Sequence, residues 1–414
     1  MSSSWEAFEA RVQKAVDDGV LPGAVMLARD KTGMYPALLS SVYLTPHRLG
    51  KLNYAAALGQ ASLDPPRPMR TDTMFALASM TKLLTILAAL HLVDRGLLTL
   101  DTDVTTLLPA LAAKPILTSL TTTAPRETPI LLRHLLTHSS GCGYGFLDPL
   151  LGEYNKARNA PPPHAVPTTT VAARFHEPLL FEPGAGWAYG ASIDWVGQLV
   201  ETVSGEPLDG YIQTHVLAPV GVTDPAAVTF YPERHGGETC SPARRAQMTT
   251  RDTATGRVVA APLPPPEADP GRGAMGGEGV WADLSAYLEV LYSLLLDDGR
   301  VLGSETARWL FEPQLEPRAK EALLAGVKDA KWIVGHVPDT GEYDWSLGGL
   351  LVDGDSHGHR NRGFLTWAGV FNVWWFIDRT AGVCGVFGTQ ILVPADPLVE
   401  PLLKEFEEEI YAKL

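Results

Sequence analysis

A serine and a lysine three positions apart are the side chains of this sequence best suited to chemistry with each other. They are Ser79 and Lys82, in the segment Ala78-Ser79-Met80-Thr81-Lys82. Because residues i and i+3 share one face of an α-helix, the hydroxyl and the amine are predicted to project into the same space. A serine hydroxyl is a weak nucleophile until a base takes its proton, and a buried lysine amine can be that base. An N-cap serine followed by a solvated lysine has the same spacing, so the pattern leaves both interpretations open.

The residues after Ser79 predict the helix that would carry this pair. Apolar side chains cover nearly all its sides, as in a helix inside a domain, and Gly96 offers an end. These apolar residues are Leu83, Leu84, Ile86, Leu87, Leu90 and Leu92. The N-terminus of such a helix would supply positive potential and free N–H groups that can hold an oxyanion.

The composition is that of an ordinary globular protein. The chain has 414 residues, of which 45% are hydrophobic and 19% charged, which allows about two domains. The net charge of −14 argues against a nucleic-acid or acidic-lipid partner, and no apolar run is long enough to span a membrane. Cys142, Cys240 and Cys384 are odd in number and far apart, and no secretory signal is visible, so we expect a reducing, cytoplasmic setting.

The order of predicted elements indicates an α+β fold. A helix and short strands precede Ser79, helices joined by Pro-rich loops follow it, and buried antiparallel strands return after Gly276-Gly277. The predicted helices are Trp5 to Val16, Ile130 to Thr137, Asp194 to Val203 and Leu284 to Leu296; the predicted strands are Ala24 to Arg29, Leu52 to Leu58, Phe371 to Asp378 and Gly382 to Phe387; the predicted loops are Pro65 to Pro68, Thr118 to Pro129, Pro161 to Pro167 and Ala260 to Gly271. We expect an α/β domain of residues 1–104 and 206–414, a mainly helical domain of residues 105–205, and the active site in the cleft between them.

Three pairs of residues have the spacing of metal ligands, but other roles explain them better. The pairs are Asp101 and Asp103, His134 and His138, and His357 and His359. We expect the aspartates to form a turn that caps the next helix, the first two histidines to pack and cap, and the last two to lie in an exposed loop. The sequence has no phosphate-binding loop or dinucleotide fingerprint, so neither a metal nor a cofactor is predicted.

Two distant segments could complete a site around Ser79. Tyr189 lies in a loop before a predicted helix, where its phenol can relay a proton, although a lone tyrosine there can equally pack. Residues 366–372 include small side chains at a strand edge, which lets a ligand approach the backbone closely. An N–H from this edge and the N–H of Ser79 would make a two-donor oxyanion hole, unless the small residues serve packing alone.

Together these segments resemble the serine β-lactamase and penicillin-binding superfamily. Residues 75–82 (FALASMTK) look like its nucleophile helix, residues 131–141 (LLRHLLTHSSG) are similar to its LLTHTSG helix, and residues 276–279 resemble its glycine-rich return to the α/β domain. These motifs occur in the family's order across nearly the whole chain. The resemblance implies a β-lactamase/transpeptidase-like fold, in which an antiparallel sheet is flanked by helices and joined by a mainly helical second domain.

The most similar branch is class C-like, with the family VIII carboxylesterases and the fungal lovastatin-type acyltransferases. Residues 187–195 and 304–317 carry this likeness. It implies that Ser79 is the nucleophile, that Lys82 and Tyr189 share the general base and acid work, and that the N–H groups of Ser79 and Val370 form the oxyanion hole. The substrate-binding residues that we expect, of which the aromatic ones could equally be core, are Arg174, Trp187, Trp367, Ala368, Gly369, Tyr144 and Phe146.

Two departures from the lactamase pattern bear on the substrate. Ala191 stands where the lactamases carry the Asn of Tyr-x-Asn, and Trp367 and Ala368 stand where they carry the Lys and Thr of Lys-Thr-Gly. A neutral aromatic side chain cannot pair with a carboxylate as an ammonium does, but it can flank an apolar acyl chain or a flat ring. Both departures therefore favour esters or thioesters of apolar acids over penicillins.

The sequence thus predicts an ester hydrolase that works through an acyl-serine. The alternative is an acyltransferase that hands the same acyl group to an alcohol of a small molecule. A penicillin-hydrolysing enzyme and a non-enzymatic binding module are the remaining, weaker hypotheses. The expected partners are a small-molecule ester or thioester and an acceptor alcohol, with no nucleic acid, membrane or protein partner.

Overall fold

The computed structural model describes residues 5–32, 52–161, 170–235, 241–261, 273–328 and 330–414. Within them the helices are α1 (Trp5–Asp17), α2 (Thr81–Asp94), α3 (Pro109–Ala112), α4 (Leu132–Leu136), α5 (Pro149–Ala157), α6 (Val171–Arg174), α7 (Ser192–Ser204), α8 (Leu208–Ile212), α9 (Leu284–Leu296), α10 (Ser304–Arg308), α11 (Pro317–Val327) and α12 (Glu400–Tyr411). The strands are β1 (Gly23–Asp30), β2 (Asn53–Leu63), β3 (Pro66–Pro68), β4 (Met74–Ala76), β5 (Ile116–Leu117), β6 (Thr123–Ala124), β7 (Val228–Thr229), β8 (Thr249–Arg251), β9 (Val258–Ala260), β10 (Trp281–Asp283), β11 (Tyr343–Trp345), β12 (Leu350–Val352), β13 (Leu365–Gly369), β14 (Val373–Asp378) and β15 (Val383–Gly388).

An eight-stranded sheet forms the centre of the fold. Its strand order is β11-β12-β13-β14-β15-β1-β2-β3, and every neighbouring pair runs antiparallel. The strands β1, β14 and β15 are buried along their whole length. Their β-branched and aromatic residues, as in the VWWFID of β14, suit a sheet that is covered on both faces. The predicted antiparallel sheet flanked by helices is confirmed.

Glycines of β15 show which helices cover the two faces of this sheet. A Cβ on Gly385 would contact Ile410 of α12, and a Cβ on Gly388 would overlap Leu284 of α9. Because side chains alternate between the faces of a strand, positions three apart point to opposite sides. The helices α12 and α9 therefore cover opposite faces, and α1 packs beside α12.

The helix α2 lies inside the protein, as its apolar residues predict. It is buried on nearly all sides and packs against α7 and α8. The strand that precedes it, β4, belongs to a second, three-stranded sheet in the order β4-β10-β7. Since β4 ends at Ala76 and α2 begins at Thr81, Ser79 lies in the short connection between a paired strand and a buried helix.

Most predicted elements form within a few residues of their predicted bounds. The helices α1 and α9 begin where they were expected, and α7 begins two residues early, at Ser192. The strand β14 begins at Val373 rather than Phe371, because Asn372 adopts a left-handed conformation (φ 63°) in the turn before it. The loop predicted around Pro65 is wrong in part: Pro66–Pro68 form β3 at the edge of the sheet, where proline is tolerated.

The side chains with metal-ligand spacing have other partners. Asp103 caps a helical turn by accepting the N–H of Thr105 (3.0 Å), as predicted. The expectation of an exposed loop at His357 is wrong, because this ring is 5% exposed and its Nε2 lies 2.8 Å from Thr340 Oγ1. In the described part of the chain, no helix is both long and apolar enough to cross a membrane. Most of the loops predicted at 161–167 and 260–271, and Cys240, lie outside the described residues.

Candidate active site

The connection that carries Ser79 is held in one conformation from several sides. Residues 78–80 form a single turn of 3₁₀-helix that leads directly into α2. The Leu77 N–H donates to Val280 O (2.8 Å), and the Ala76 N–H donates to Gln390 Oε1 (2.8 Å). Ala78 has a φ of 45°, a left-handed conformation that costs a residue with a Cβ about 1–2 kcal/mol. The packing around the turn must offset this strain, which is typical of functional sites.

The amine of Lys82 lies beside the hydroxyl of Ser79. Their Nζ and Oγ atoms are 3.2 Å apart, and the same Nζ donates to Gly277 O at 2.8 Å. Lys82 is 3% exposed, so the interpretation as a solvated lysine is wrong. The turn preserves the shared face that the i, i+3 spacing predicts, although Ser79 precedes the α-helix instead of lying within it.

Tyr189 contacts this pair from the loop before α7. Its ring centroid lies 4.8 Å from Lys82 Nζ, and its carbonyl oxygen accepts the Tyr144 N–H (3.2 Å). The next residue must be glycine, because a Cβ on Gly190 would overlap the carbonyl oxygen of Cys142. The phenol is therefore presented by a loop whose backbone is fixed on both sides.

A buried histidine supports the same loop. The His138 ring lies 4.7 Å from that of Tyr189, and its Nδ1 accepts the Gly190 N–H at 3.4 Å. Burial, and then the nearby Lys82 side chain, hold the pKa of His138 well below its usual value, so the ring stays neutral near pH 7. It packs, as predicted. Across the residues that the structure describes, no three His, Cys, Asp or Glu side chains form a metal-binding group.

The indole of Trp367 makes a hydrogen bond that the sequence does not reveal. Its Nε1–H donates to Tyr189 Oη at 2.9 Å. The rings of Trp332 and Trp345 also lie beside Tyr189, at centroid distances of 5.4 and 6.1 Å. Trp187 packs on Trp345 at 5.4 Å. These five rings form an aromatic wall, and no local pattern marked Trp332 or Trp345 as members of it.

The end of β13 lies directly against the nucleophile turn. A Cβ on Gly369 would overlap the carbonyl oxygen of Leu77, so only glycine allows this approach. After it, the chain turns back, with the Asn372 N–H donating to Gly369 O (3.0 Å). Within the described residues, neither the N–H of Ser79 nor that of Val370 has a hydrogen-bond acceptor. Val370 is 37% exposed, so a ligand has access to this edge.

Two carboxylates that sequence reasoning missed lie behind Lys82. Asp194, in the first turn of α7, is fully buried, and its Oδ1 accepts the Gly277 N–H (3.0 Å). Burial, and then the nearby Glu278 carboxylate, raise the pKa of Asp194 to about 6. Glu278 pairs with Arg174, which is buried. The doubled glycine at 276–277 was the only sequence signal for this region.

The remaining predicted residues divide between the site and its rim. Tyr144 is buried, its ring lies 5.8 Å from Lys82 Nζ, and burial raises its pKa far above the usual value. Ala368 is buried in β13 beside Trp367. Phe146 is 74% exposed and stacks on Tyr144 at 5.0 Å, which puts it at the rim. Phe371, in the turn after β13, belongs to a separate apolar cluster.

Known proteins are similar to this chain over nearly its whole length. A family model described as Beta-lactamase matches residues 8–405. The chain belongs to the beta-lactamase family. Two similar members of this family are the monacolin J acid methylbutanoyltransferase of Aspergillus terreus, 36% identical over 98% of this chain and 95% of the relative, and the lovastatin esterase of Penicillium rubens, 36% identical over 97% of each.

A solved beta-lactamase-family structure gives the same result in three dimensions. A mutant of simvastatin synthase (LovD) from Aspergillus terreus superposes with a TM-score of 0.83 at 35% identity, over 98% of this chain and 94% of that one. The predicted β-lactamase/transpeptidase-like fold and the branch with lovastatin-type acyltransferases and esterases are confirmed. The protein is an enzyme of the serine hydrolase/acyltransferase type.

Proposed function

We propose that this enzyme cleaves esters of apolar acids through an acyl-enzyme on Ser79. The observation that carries the proposal is the position of Lys82 Nζ, which is 3.2 Å from Ser79 Oγ and buried. An amine at this distance is within hydrogen-bond reach of the hydroxyl proton and can act as the base for it. The confirmed family supports a nucleophilic serine in this position.

Acylation follows from the arrangement of the proposed residues. Ser79 Oγ attacks the ester carbonyl carbon, its proton passes to Lys82 Nζ, and the carbonyl π electrons move onto the oxygen. The N–H groups of Ser79 and Val370 donate to that oxyanion. The intermediate collapses when the bond to the alcohol oxygen breaks and Tyr189 donates its proton to the leaving group. The Lys82 ammonium then returns a proton to the Tyr189 phenolate, and the acyl-serine remains.

Release of the acyl group allows two outcomes. In hydrolysis, water attacks the acyl-serine and its proton passes through Tyr189 and Lys82, which returns Ser79 to its starting state. In the alternative, an alcohol attacks in the same way and leaves as a new ester. The alternative has specific support, because one 36% identical relative is named a methylbutanoyltransferase and another is named an esterase. Both outcomes share the acylation half.

The chemistry of the pocket wall supports an apolar acyl group. Tyr189 is surrounded by neutral aromatic rings, and the sequence resemblance puts Trp367 where the lactamases carry the lysine of Lys-Thr-Gly. The nearby Arg174 is already paired with Glu278, so its charge is largely compensated. We therefore propose Trp187, Trp367, Ala368, Gly369 and Tyr144 as the walls of the acyl site, with Arg174 behind them and Phe146 at the rim. A thioester of the same acid would suit these walls equally.

We also propose the domain division and the setting. Residues 1–104 and 206–414 would form one domain and residues 105–205 the helical one, with Ser79 on the first and Tyr189 on the second, so that the site lies in the cleft. A cytoplasmic location is supported by Cys142 and Cys384, which are buried free thiols. The net charge of −14 supports small molecules rather than nucleic acids as partners.

Mass spectrometry of the intact protein mixed with a panel of p-nitrophenyl esters tests the proposal. We expect one acyl adduct, located on Ser79, that forms fastest with apolar acyl chains and is absent in Ser79→Ala and Lys82→Ala. An adduct on another residue, or equal labelling of Ser79→Ala, would refute it. Adding alcohols and measuring new ester against free acid separates transfer from hydrolysis. Parallel reactions with nitrocefin and with EDTA test the lactamase and metal-dependent hypotheses.

A further inference from the structure

We propose that Asp194 is a positioning residue of this site. Its carboxylate holds the Gly277 peptide, whose carbonyl binds the Lys82 amine, and it supplies the negative charge that stabilises the Lys82 ammonium after Ser79 has lost its proton. This inference rests on the proposed function, in which Lys82 is the base.

A chain of three hydrogen bonds joins the carboxylate to the nucleophile. Asp194 Oδ1 accepts the Gly277 N–H at 3.0 Å, Gly277 O accepts from Lys82 Nζ at 2.8 Å, and Lys82 Nζ lies 3.2 Å from Ser79 Oγ. Residue 277 has to be glycine for this contact, because a Cβ there would overlap Asp194 Oδ2. One peptide unit therefore separates the acid from the base.

The glycine segment that carries this peptide has no room to shift. The Thr85 hydroxyl on α2 donates to Gly276 O at 2.8 Å. On its other side, a Cβ on Gly276 would lie 2.6 Å from Ile193 O, and a Cβ on Gly197 would lie 3.1 Å from the Gly276 Cα, both on α7. The segment is clamped between the two helices that carry Lys82 and Asp194, so its carbonyl is a fixed acceptor.

The groups that face Asp194 leave its negative charge available to Lys82. They are Lys82 on α2, Arg174 on α6, Glu278 beside Gly277, and the neutral Cys142 and Tyr144, whose pKa values burial raises. The Arg174 guanidinium is bound to Glu278. Asp194 Oδ2 is buried and has no hydrogen-bond partner among the described residues. Since the pKa of Asp194 is about 6, its carboxyl is mainly ionised at pH 7 and loses its charge in mild acid.

This charge matters most at the moment of attack. When the Ser79 proton moves to Lys82 Nζ, a cation forms on a buried side chain, where an uncompensated charge is costly. The Asp194 carboxylate compensates it through one peptide unit. Protonation of the carboxyl removes this compensation, so acylation should slow as the pH falls, and the acid limb of the kcat/KM profile should depend on Asp194.

Asp194→Asn tests the proposal, with Asp283→Asn as the matched control. Asn can still accept the Gly277 N–H but carries no charge. Asp283 is half-buried, and burial raises its pKa to about 6, but it caps α9 by accepting the Ser285 N–H (2.8 Å), and the charged groups that act on it are Arg244 and Asp72 rather than residues of the site. For p-nitrophenyl butyrate we expect kcat/KM of Asp194→Asn to fall roughly 10- to 100-fold. Its acid limb should move to lower pH by about half a unit or more, whereas Asp283→Asn should keep the wild-type limb.

The outcomes separate this inference from the proposed function. A wild-type acid limb in Asp194→Asn, with only the overall rate lowered, would mean a structural role and would overturn the inference. If that variant does not fold, Glu278→Gln replaces it: removing the charge that raises the Asp194 pKa should also move the limb to lower pH, and an unchanged limb overturns the inference. The proposed function fails separately, if the wild-type protein neither turns over the ester nor reacts with a fluorophosphonate at Ser79.

Discussion

Replacing the indole of Trp367 with a phenyl ring should slow catalysis without dismantling the site. Trp367→Phe keeps an aromatic ring in the wall but removes the Nε1–H that donates to Tyr189 Oη at 2.9 Å. A hydrogen bond to a neutral oxygen contributes about 0.5–1.5 kcal/mol, and one to a charged oxygen about 1.5–3 kcal/mol. If Tyr189 gives its proton to the leaving alcohol, its oxygen gains negative charge, and the bond strengthens by about 1–1.5 kcal/mol, which corresponds to roughly a tenfold loss of kcat.

Trp345→Phe is the matched control for this change. Trp345 also packs on Tyr189 and lies 4.6 Å from Trp367, but its Nε1 has no hydrogen-bond partner within the described residues. Both variants lose the same atoms from the same wall, and only one loses a bond to Tyr189. Steady-state kinetics with p-nitrophenyl butyrate should show the larger fall in kcat for Trp367→Phe. Equal losses in the two variants would refute the argument that the indole N–H acts through Tyr189.

Three other changes test separate parts of the structure. Val370→Pro fits the second position of its turn but removes the N–H that is the proposed oxyanion donor, so kcat should fall about 10²- to 10³-fold with an unchanged melting temperature. The control Val370→Ala keeps this N–H, and its kcat should stay close to that of the wild type. Gly190→Ala must displace the Tyr189 loop, because its Cβ overlaps Cys142 O, and we expect kcat to fall by about 100-fold; a wild-type rate would show that the loop adapts. Glu407→Gln leaves the buried Arg360 without its counter-charge and should lower the free energy of unfolding by about 3–5 kcal/mol at pH 7, measured with urea. Burial alone would raise the pKa of Glu407, but the pairing with Arg360 holds it below its usual value. The stability that this pair contributes is therefore present above pH ~4.3 and is lost as the pH falls through the folded-state pKa. The difference in unfolding free energy between variant and wild type should shrink below about pH 4.

Local patterns were sufficient for the parts of the site that lie close together in the chain. Ser79 and Lys82 are three residues apart, so helical geometry alone predicts that they meet, and Nζ and Oγ are 3.2 Å apart. The bounds of α9 also follow from its apolar run and the turn residues that flank it. The bounds of a buried strand are equally local, since apolar runs and turn residues mark them, which is why β14 and β15 were predicted to within two residues.

Long-range partners were beyond this kind of reasoning. Trp332 and Trp345 reach Tyr189 from segments about 150 residues away, and a lone tryptophan carries no signal for where its ring will lie. Asp194 was seen only as the start of a helix, since its burial depends on the fit of Gly277 against α7. Trp367 was expected as a wall of the pocket, and its hydrogen bond depends on a rotamer that sequence does not specify.

A tryptophan at position 367, where the lactamases carry a lysine, should affect both the choice of substrate and the charge around Lys82. An ammonium there would attract a substrate carboxylate, and it would also add a second positive charge near Lys82 and oppose formation of its ammonium. An indole removes that charge and gives its N–H to Tyr189 Oη instead. We therefore expect the same residue to disfavour an anionic substrate and to hold Tyr189, the proposed proton donor for the leaving alcohol, in place. On the other side of Lys82, the Gly277 carbonyl accepts a hydrogen bond from Nζ, and the Asp194 carboxylate lies one peptide unit behind it, where it can offset the positive charge of the ammonium. We therefore expect this site to favour neutral esters, because the neutral indole of Trp367 cannot form an ion pair with a substrate carboxylate.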